Sequence, residues 1–186
     1  MSNATSDFDT ITESPTPILF PDLESELSTT RRMLERVPDG KEDWKPHPKS
    51  RSLGELATHL AQLPGFGIAQ VTQDVVDGTA GPPKVNVSNS VERLRLFDQV
   101  SAEFRRQLQQ LTWERARAPW SMTVNGRVVV RAPRSDIVRS VYFMHSAHHR
   151  AQLGVYLRML DISVPWSYGD SADERPPMAQ ADGSPR

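Results

Sequence analysis

Cysteine is absent from the 186 residues. Its absence excludes a disulfide framework, thiolate metal ligands and a cysteine nucleophile, so any sulfur chemistry has to borrow its thiol from outside the chain. Long apolar runs are missing as well. No window approaches eighteen consecutive apolar residues, and residues 1–21 have neither the basic start nor the apolar stretch of a secretory leader. A soluble, cytoplasmic protein without a membrane partner is expected. Basic runs and aromatic-interleaved Arg or Lys motifs are lacking too, which argues against nucleic acid.

Formal charge is −1, but it is unevenly spread: residues 88–160 carry twelve Arg against five acids, and the rest of the chain ten basic residues against eighteen acids. Either packed helices attract one another across their solvated faces, or a basic rim surrounds a pocket for an anionic ligand.

What is present fits one domain. Residues 1–20, rich in Ser, Thr, Asp and Pro, are expected to form a flexible arm, residues 21–174 the folded body and residues 175–186 a disordered tail. Asp22 reads as the cap of a first helix whose stripe of Leu23, Leu27, Thr30, Met33, Leu34 and Val37 stops before Pro38-Asp39-Gly40. Ser52 and Glu55 form a capping-box signature for a second helix on Leu53, Leu56, Leu60, Leu63 and Phe66, running to about Asp77. Pro64, Gly65 and Gly67 should bend it or admit a close neighbour. Ser90 reads as the cap of a third helix, with Arg93, Arg95, Arg105 and Arg106 on its solvated face. Asn125-Gly126, between apolar stretches, marks a small β-hairpin, and Pro133 opens a last long helix to about Leu160.

Three of the five histidines lie on that last helix. His145 and His149 share a stripe with Val138, Val141, Leu153 and Tyr156 and point inward, with Cβ atoms roughly 5–6 Å apart, so two imidazoles can share one ion. His148 points away. A zincin needs Glu directly after the first His, where Ser146 stands, and a ferritin-like di-iron site needs Glu-x-x-His pairs, which do not occur. What remains is a single ion on His145 and His149, completed by an inward histidine from another helix. His59, between Leu56 and Leu63, is the candidate with that orientation, although a lone histidine there more often just satisfies the core. His47, between two prolines in a loop, reads as a surface or capping residue. Three neutral imidazoles suit Zn, Ni or Fe and leave a coordination position open, as catalytic sites do. Phe66, Trp120, Tyr142 and Trp166 are candidate pocket walls, ordinary packing being the commoner role for such aromatics.

Several stretches together resemble the DinB/YfiT-like superfamily: His145-x-x-x-His149-Arg150-Ala151-Gln152-Leu153 with Tyr156-Leu157-Arg158, Ser52-Leu53-Gly54-Glu55-Leu56-Ala57-Thr58-His59-Leu60, Trp44-x-Pro46-His47-Pro48-x-Ser50, and Val164-Pro165-x-x-Tyr168-Gly169-x-Ser171-Ala172-Asp173-Glu174. The similarity spans about residues 22–174 and departs from the usual pattern at Ala151 and Asp170. It implies an all-α four-helix bundle with the hairpin before its last long helix, a divalent transition metal on His59, His145 and His149, and frequent homodimers. It also implies a thiol S-transferase that joins a low-molecular-weight thiol, such as mycothiol or bacillithiol, to a small-molecule electrophile. The alternatives are a metal-dependent hydrolase, with Glu55 or Asp173 as base, and a non-catalytic metal-binding stress-response module. Substrate contacts are expected from Arg150, Tyr142 and Trp166. Arg150 reads equally as the anchor for a cysteine-derived carboxylate and as a surface partner of Asp173.

Overall fold

The computed structural model describes residues 13–81 and 83–177. It is mostly helical, with a small three-stranded sheet. In chain order the elements are α1 (Thr16–Leu19), α2 (Leu23–Glu35), α3 (Leu53–Thr72), β1 (Val75–Asp77), α4 (Ser90–Gln109), α5 (Trp113–Arg117), β2 (Pro119–Val124), β3 (Arg127–Pro133), α6 (Arg134–Ile137), a π-helical stretch (Val138–Met144) and α7 (His145–Met159). The last three run on as one helix over 134–159. α3 packs on α4 and on α7, α2 closes the other side against α4 and α7, and the enclosed core is built from Leu27, Leu34, Leu53, Leu56, Leu60, Phe97, Phe104, Leu108, Leu153 and Leu157. No described helix is long and apolar enough to cross a membrane.

Local chemistry accounts for the element that carries His59. The Ser52 side chain accepts from the Glu55 N–H while the Glu55 carboxylate accepts from the Ser52 N–H, so α3 starts on the expected capping box. The loop before it docks by backbone bonds from Leu53 to Trp44 and from Gly54 to Glu42, and Trp44 meets Tyr156 of α7 edge-on at 5.6 Å. The helix continues past Pro64, and the close neighbour expected beyond His59 is found: a Cβ on Gly67 would lie 2.6 Å from the Phe104 ring, which is fully buried. Gly67→Ala should therefore destabilise the fold by about 1–3 kcal/mol, because neither the helix nor the enclosed ring can give way. Urea unfolding checks it, and an unchanged midpoint would contradict the packing described.

Five expectations need correction. The arm does not extend to residue 20: Thr16 donates to the Leu108 carbonyl, and Phe20 stacks on Phe143 at 5.3 Å under the Arg139 guanidinium, so the chain is held from Ser14 onward. Residues 1–12 and 178–186 lie outside the described part. Asp22 precedes α2 without a side-chain cap, its carboxylate being engaged by Arg139 at 2.6 Å. α3 ends at Thr72, and its expected last turns are instead β1, paired parallel to β2. Asn89 caps α4 in place of Ser90, whose N–H and hydroxyl bind Asp39. Arg93 is fully buried within reach of the fields of Glu42 and Asp39, whereas Arg105 and Arg106 face Glu24 and Glu103 at the surface as a solvated face would.

The hairpin forms at Asn125-Gly126, both with positive φ, as a tight two-residue turn requires. The charge asymmetry is largely spent inside the chain. Arg105 meets Glu24, Arg139 meets Asp22, Arg150 meets Glu26 and Arg158 meets Asp173, so the basic half binds the acidic half.

Candidate metal centre

α3 and α7 run side by side, and their facing sides bring three imidazoles together. His59 comes from α3 and His145 and His149 from α7, with one ring nitrogen of each within 4.8 Å of the others. His59 and His149 are buried and His145 is half-buried. The rings touch at centroid separations of 4.5 Å (His145–His149), 4.6 Å (His59–His149) and 5.4 Å (His59–His145). Among the described residues the cluster contains no carboxylate.

Their hydrogen bonds decide which ring nitrogens are bare. His149 Nδ1 lies 2.8 Å from Gln152 Oε1, an acceptor, so Nδ1 carries the proton and Nε2 is an open lone pair. The His145 ring turns its Nε2 toward the same His149 Nε2. The two Nε2 atoms stand 2.8 Å apart. The third, His59 Nε2, is buried without any hydrogen-bond partner. A bare His149 Nε2 and an unpartnered His59 Nε2 converging with the His145 ring in one space are satisfied together by a cation among them. The donor set is three neutral imidazoles with an outer partner, Gln152, on one of them, which fits a divalent transition ion.

The π-helical stretch contributes to this arrangement. It lies directly before the ligand pair, and the His145 N–H that follows it bonds to the Tyr142 carbonyl three residues back. Wide turns of this kind recur at functional positions in helices.

A model of the DinB family matches residues 12–178. The chain belongs to the DinB family. Two solved DinB-like proteins share the fold. One, from Bacillus subtilis, is 18% identical with a TM-score of 0.60 and covers 80% of this chain and 96% of its own. The other, from Bacillus cereus, is 19% identical with a TM-score of 0.60 and covers 81% of this chain and 95% of its own. Among curated proteins no significant match is found.

In this DinB-family chain the other expected site residues lie elsewhere. Arg150 points away from the triad to α2, where it is 2% exposed and bonds Glu26 at 2.5 Å, the Glu26 carbonyl, Thr30 and the Tyr168 hydroxyl. It does not pair with Asp173, which Arg158 and the Val164 N–H occupy. Tyr142 is a core ring, edge-on to Phe104 at 4.6 Å and to Phe143 at 5.0 Å. Trp166 lies 4.1 Å under the Arg32 guanidinium, against α2. Trp120 is buried in the hairpin, which leaves Phe66, 6.4 Å from His59, as the one of the four aromatics beside the triad. His47 accepts from the Lys49 N–H in its own loop, and His148 is exposed. Gln152 and the π-helical turn were not anticipated. Gln152 was visible as an amide three residues beyond a ligand histidine, whereas nothing in the residue order marks the wide turn.

Burial holds His59 and His149 down at about 4, against an ordinary value near 6.5, and lowers His145 as well. Between those values the unfolded chain takes up protons that the folded one refuses. Metal-free protein should therefore lose stability as pH falls from about 6.5 toward 4 and stop losing it below. Allowing for nearby solvent, the loss between pH 7 and pH 5 should be about 2 kcal/mol. Urea midpoints of chelator-treated protein at the two pH values measure it, and equal midpoints would rule the effect out.

Proposed function

We propose that the chain is a metal-dependent thiol S-transferase built on the four-helix bundle of its family and working in the cytoplasm. His59, His145 and His149 would hold one divalent ion, Zn, Ni or Fe, and the single observation that carries this is the convergence of three imidazole nitrogens from two helices within 4.8 Å, with the buried His59 Nε2 left without a partner. Bound there, the ion would supply Lewis acidity that favours a thiolate over a thiol at its remaining position. The chain's own residues do the rest. Gln152 holds the His149 imidazole in the tautomer that presents Nε2. Burial keeps the imidazoles neutral, so they would leave a bound ion its full charge.

Absence of cysteine from the sequence fits an exogenous thiol. A hydrolase needs a carboxylate base at the ion, and both candidates are engaged: Glu55 in the capping box and with Lys45, Asp173 with Arg158. Turnover of a haloarene or an epoxide with mycothiol, bacillithiol or glutathione is the test, on metal-loaded and metal-stripped protein. Thiol-dependent, metal-dependent conjugation is expected. Activity without thiol would favour the hydrolase, and no turnover with any pair would favour the non-catalytic binding module.

A homodimer is part of the same reading. On its outer side the last helix exposes Met144, at the end of the π-helical stretch, and Val155 and Met159 of α7, with Tyr168 also exposed, an apolar face suited to a second copy. Sedimentation at micromolar concentration should show a dimer, and monomer alone would reject it.

A further inference from the structure

His59 and His149 are buried, and only His145, half-buried, is open in part to solvent. An ion arriving with its water shell therefore meets the triad at His145. One further imidazole touches the cluster. The His148 ring lies 4.9 Å from the His149 ring, edge to face, and His149 in turn lies 4.5 Å from His145. His148 follows His145 by three positions on α7, so the two side chains leave the helix as neighbours one turn apart. Unlike the triad it is exposed, and unlike His47 and His149 it makes no hydrogen bond or ion pair among the described residues. A neutral imidazole always keeps one bare lone pair, and here it stands in water against the ring of a buried ligand.

We propose that His148 is the capture ligand of the metal centre: together with His145 it takes the divalent ion from solvent and passes it inward to His149 and His59. The assignment rests on the reading of the triad as a metal centre and is independent of the thiol chemistry. His148 needs only a change of rotamer to serve, a motion that exposed side chains make readily. In the transfer one neutral imidazole takes the place of another, and each departing water is replaced by a nitrogen. The ion is thus never left bare in a buried space, which would be the costliest step. A residue that acts on the path and then leaves the coordination set speeds loading and release by the same factor. Affinity, the ratio of the two rates, stays where it was. His148 is therefore dispensable for final metal content and required for its rapid exchange.

Cobalt(II) reports its coordination by visible absorption, so no turnover is needed. Stopped-flow mixing of cobalt with chelator-stripped protein gives the loading rate, and mixing of loaded protein with excess chelator gives the release rate. Both are read below the concentration at which sedimentation shows association, because His148 shares the outer side of α7 with Val155. His148→Phe keeps a ring against His149 without a nitrogen, and His148→Asp keeps a ligand atom without the ring. His148→Phe should load and release about tenfold more slowly than wild type at unchanged affinity, since the effective concentration supplied by a tethered ligand is lost. His148→Asp should recover most of both rates, whereas its charge acting alone would speed loading and slow release. Equal rates in wild type and His148→Phe overturn the capture role and leave the triad intact. A normal His148→Phe beside a slow His148→Asp also overturns it, in favour of ring packing. Weaker cobalt binding by His148→Phe would make His148 a resident ligand, against the proposal. Failure of wild type to take up cobalt rejects the metal centre and the capture role with it. His148 is exposed, so both variants should fold as wild type does, which their final cobalt stoichiometry verifies.

Discussion

His59→Ala should leave the protein with less than about a tenth of the wild-type metal after purification from its own host, because two imidazoles on one helix remain where three from two helices converged. Removing a ligand costs more than the roughly 10–100-fold in affinity that loss of an outer partner such as Gln152 costs. His145→Ala and His149→Ala should behave alike, whereas His47→Ala and His148→Ala should keep their metal, one lying in a distant loop turn and the other on the outside of α7. Thermal unfolding provides a second reading. Added metal should raise the wild-type midpoint by mass action and leave that of His59→Ala where it was. A fully loaded His59→Ala protein would remove His59 from the centre.

The largest stability effect is expected from Arg150→Met. It leaves the Glu26 carboxylate, 8% exposed at its side chain, without its cation in the space between α2 and α7, and an uncompensated buried charge of this kind costs about 3–5 kcal/mol. The Tyr168 hydroxyl, which donates to the same carboxylate at 3.0 Å, offsets only part of that. Glu26→Leu added to Arg150→Met should restore most of the loss, since two apolar side chains in place of a buried ion pair are often neutral. Urea unfolding of the single and double variants decides it. A single variant within half a kilocalorie of wild type would show the pair to be less isolated from water than its geometry indicates.

Sequence alone reached the triad because each of its three parts has a local signature. His145 and His149 are one helical turn apart on an apolar stripe, and His59 lies between leucines downstream of a complete capping box. Asn125-Gly126 located the hairpin for the same reason, since the turn needs two positive φ values in succession. What escaped depended on distant partners. β1 is three residues long and exists only because β2 pairs with it from more than forty positions away. Arg93 and Arg150 look like members of polar faces, and only the acids brought up by other elements reveal them as buried cations. Phe20 reads as the end of a polar arm until Phe143 and Arg139 are in place beside it.

The wide turn before His145 divides the last helix into two phases. A turn closed by bonds to the fifth residue holds one residue more than a turn closed to the fourth, so the chain before 138 and the chain after 144 follow helical grids offset by a single position. The segment that anchors this helix to the hairpin and to Asp74, through Arg134, is thereby rotationally uncoupled from the segment that presents the histidines. Losing one residue within 139–143 would fuse the two grids into one regular helix with His145 and His149 still turned toward His59, whereas closing the wide turn with all its residues kept would swing the pair by about 100° against the hairpin end, one α-helical step. An insertion of length one thus acts as an indexing gear: it sets the angle at which the ligand pair meets His59 without altering a single side chain in the core.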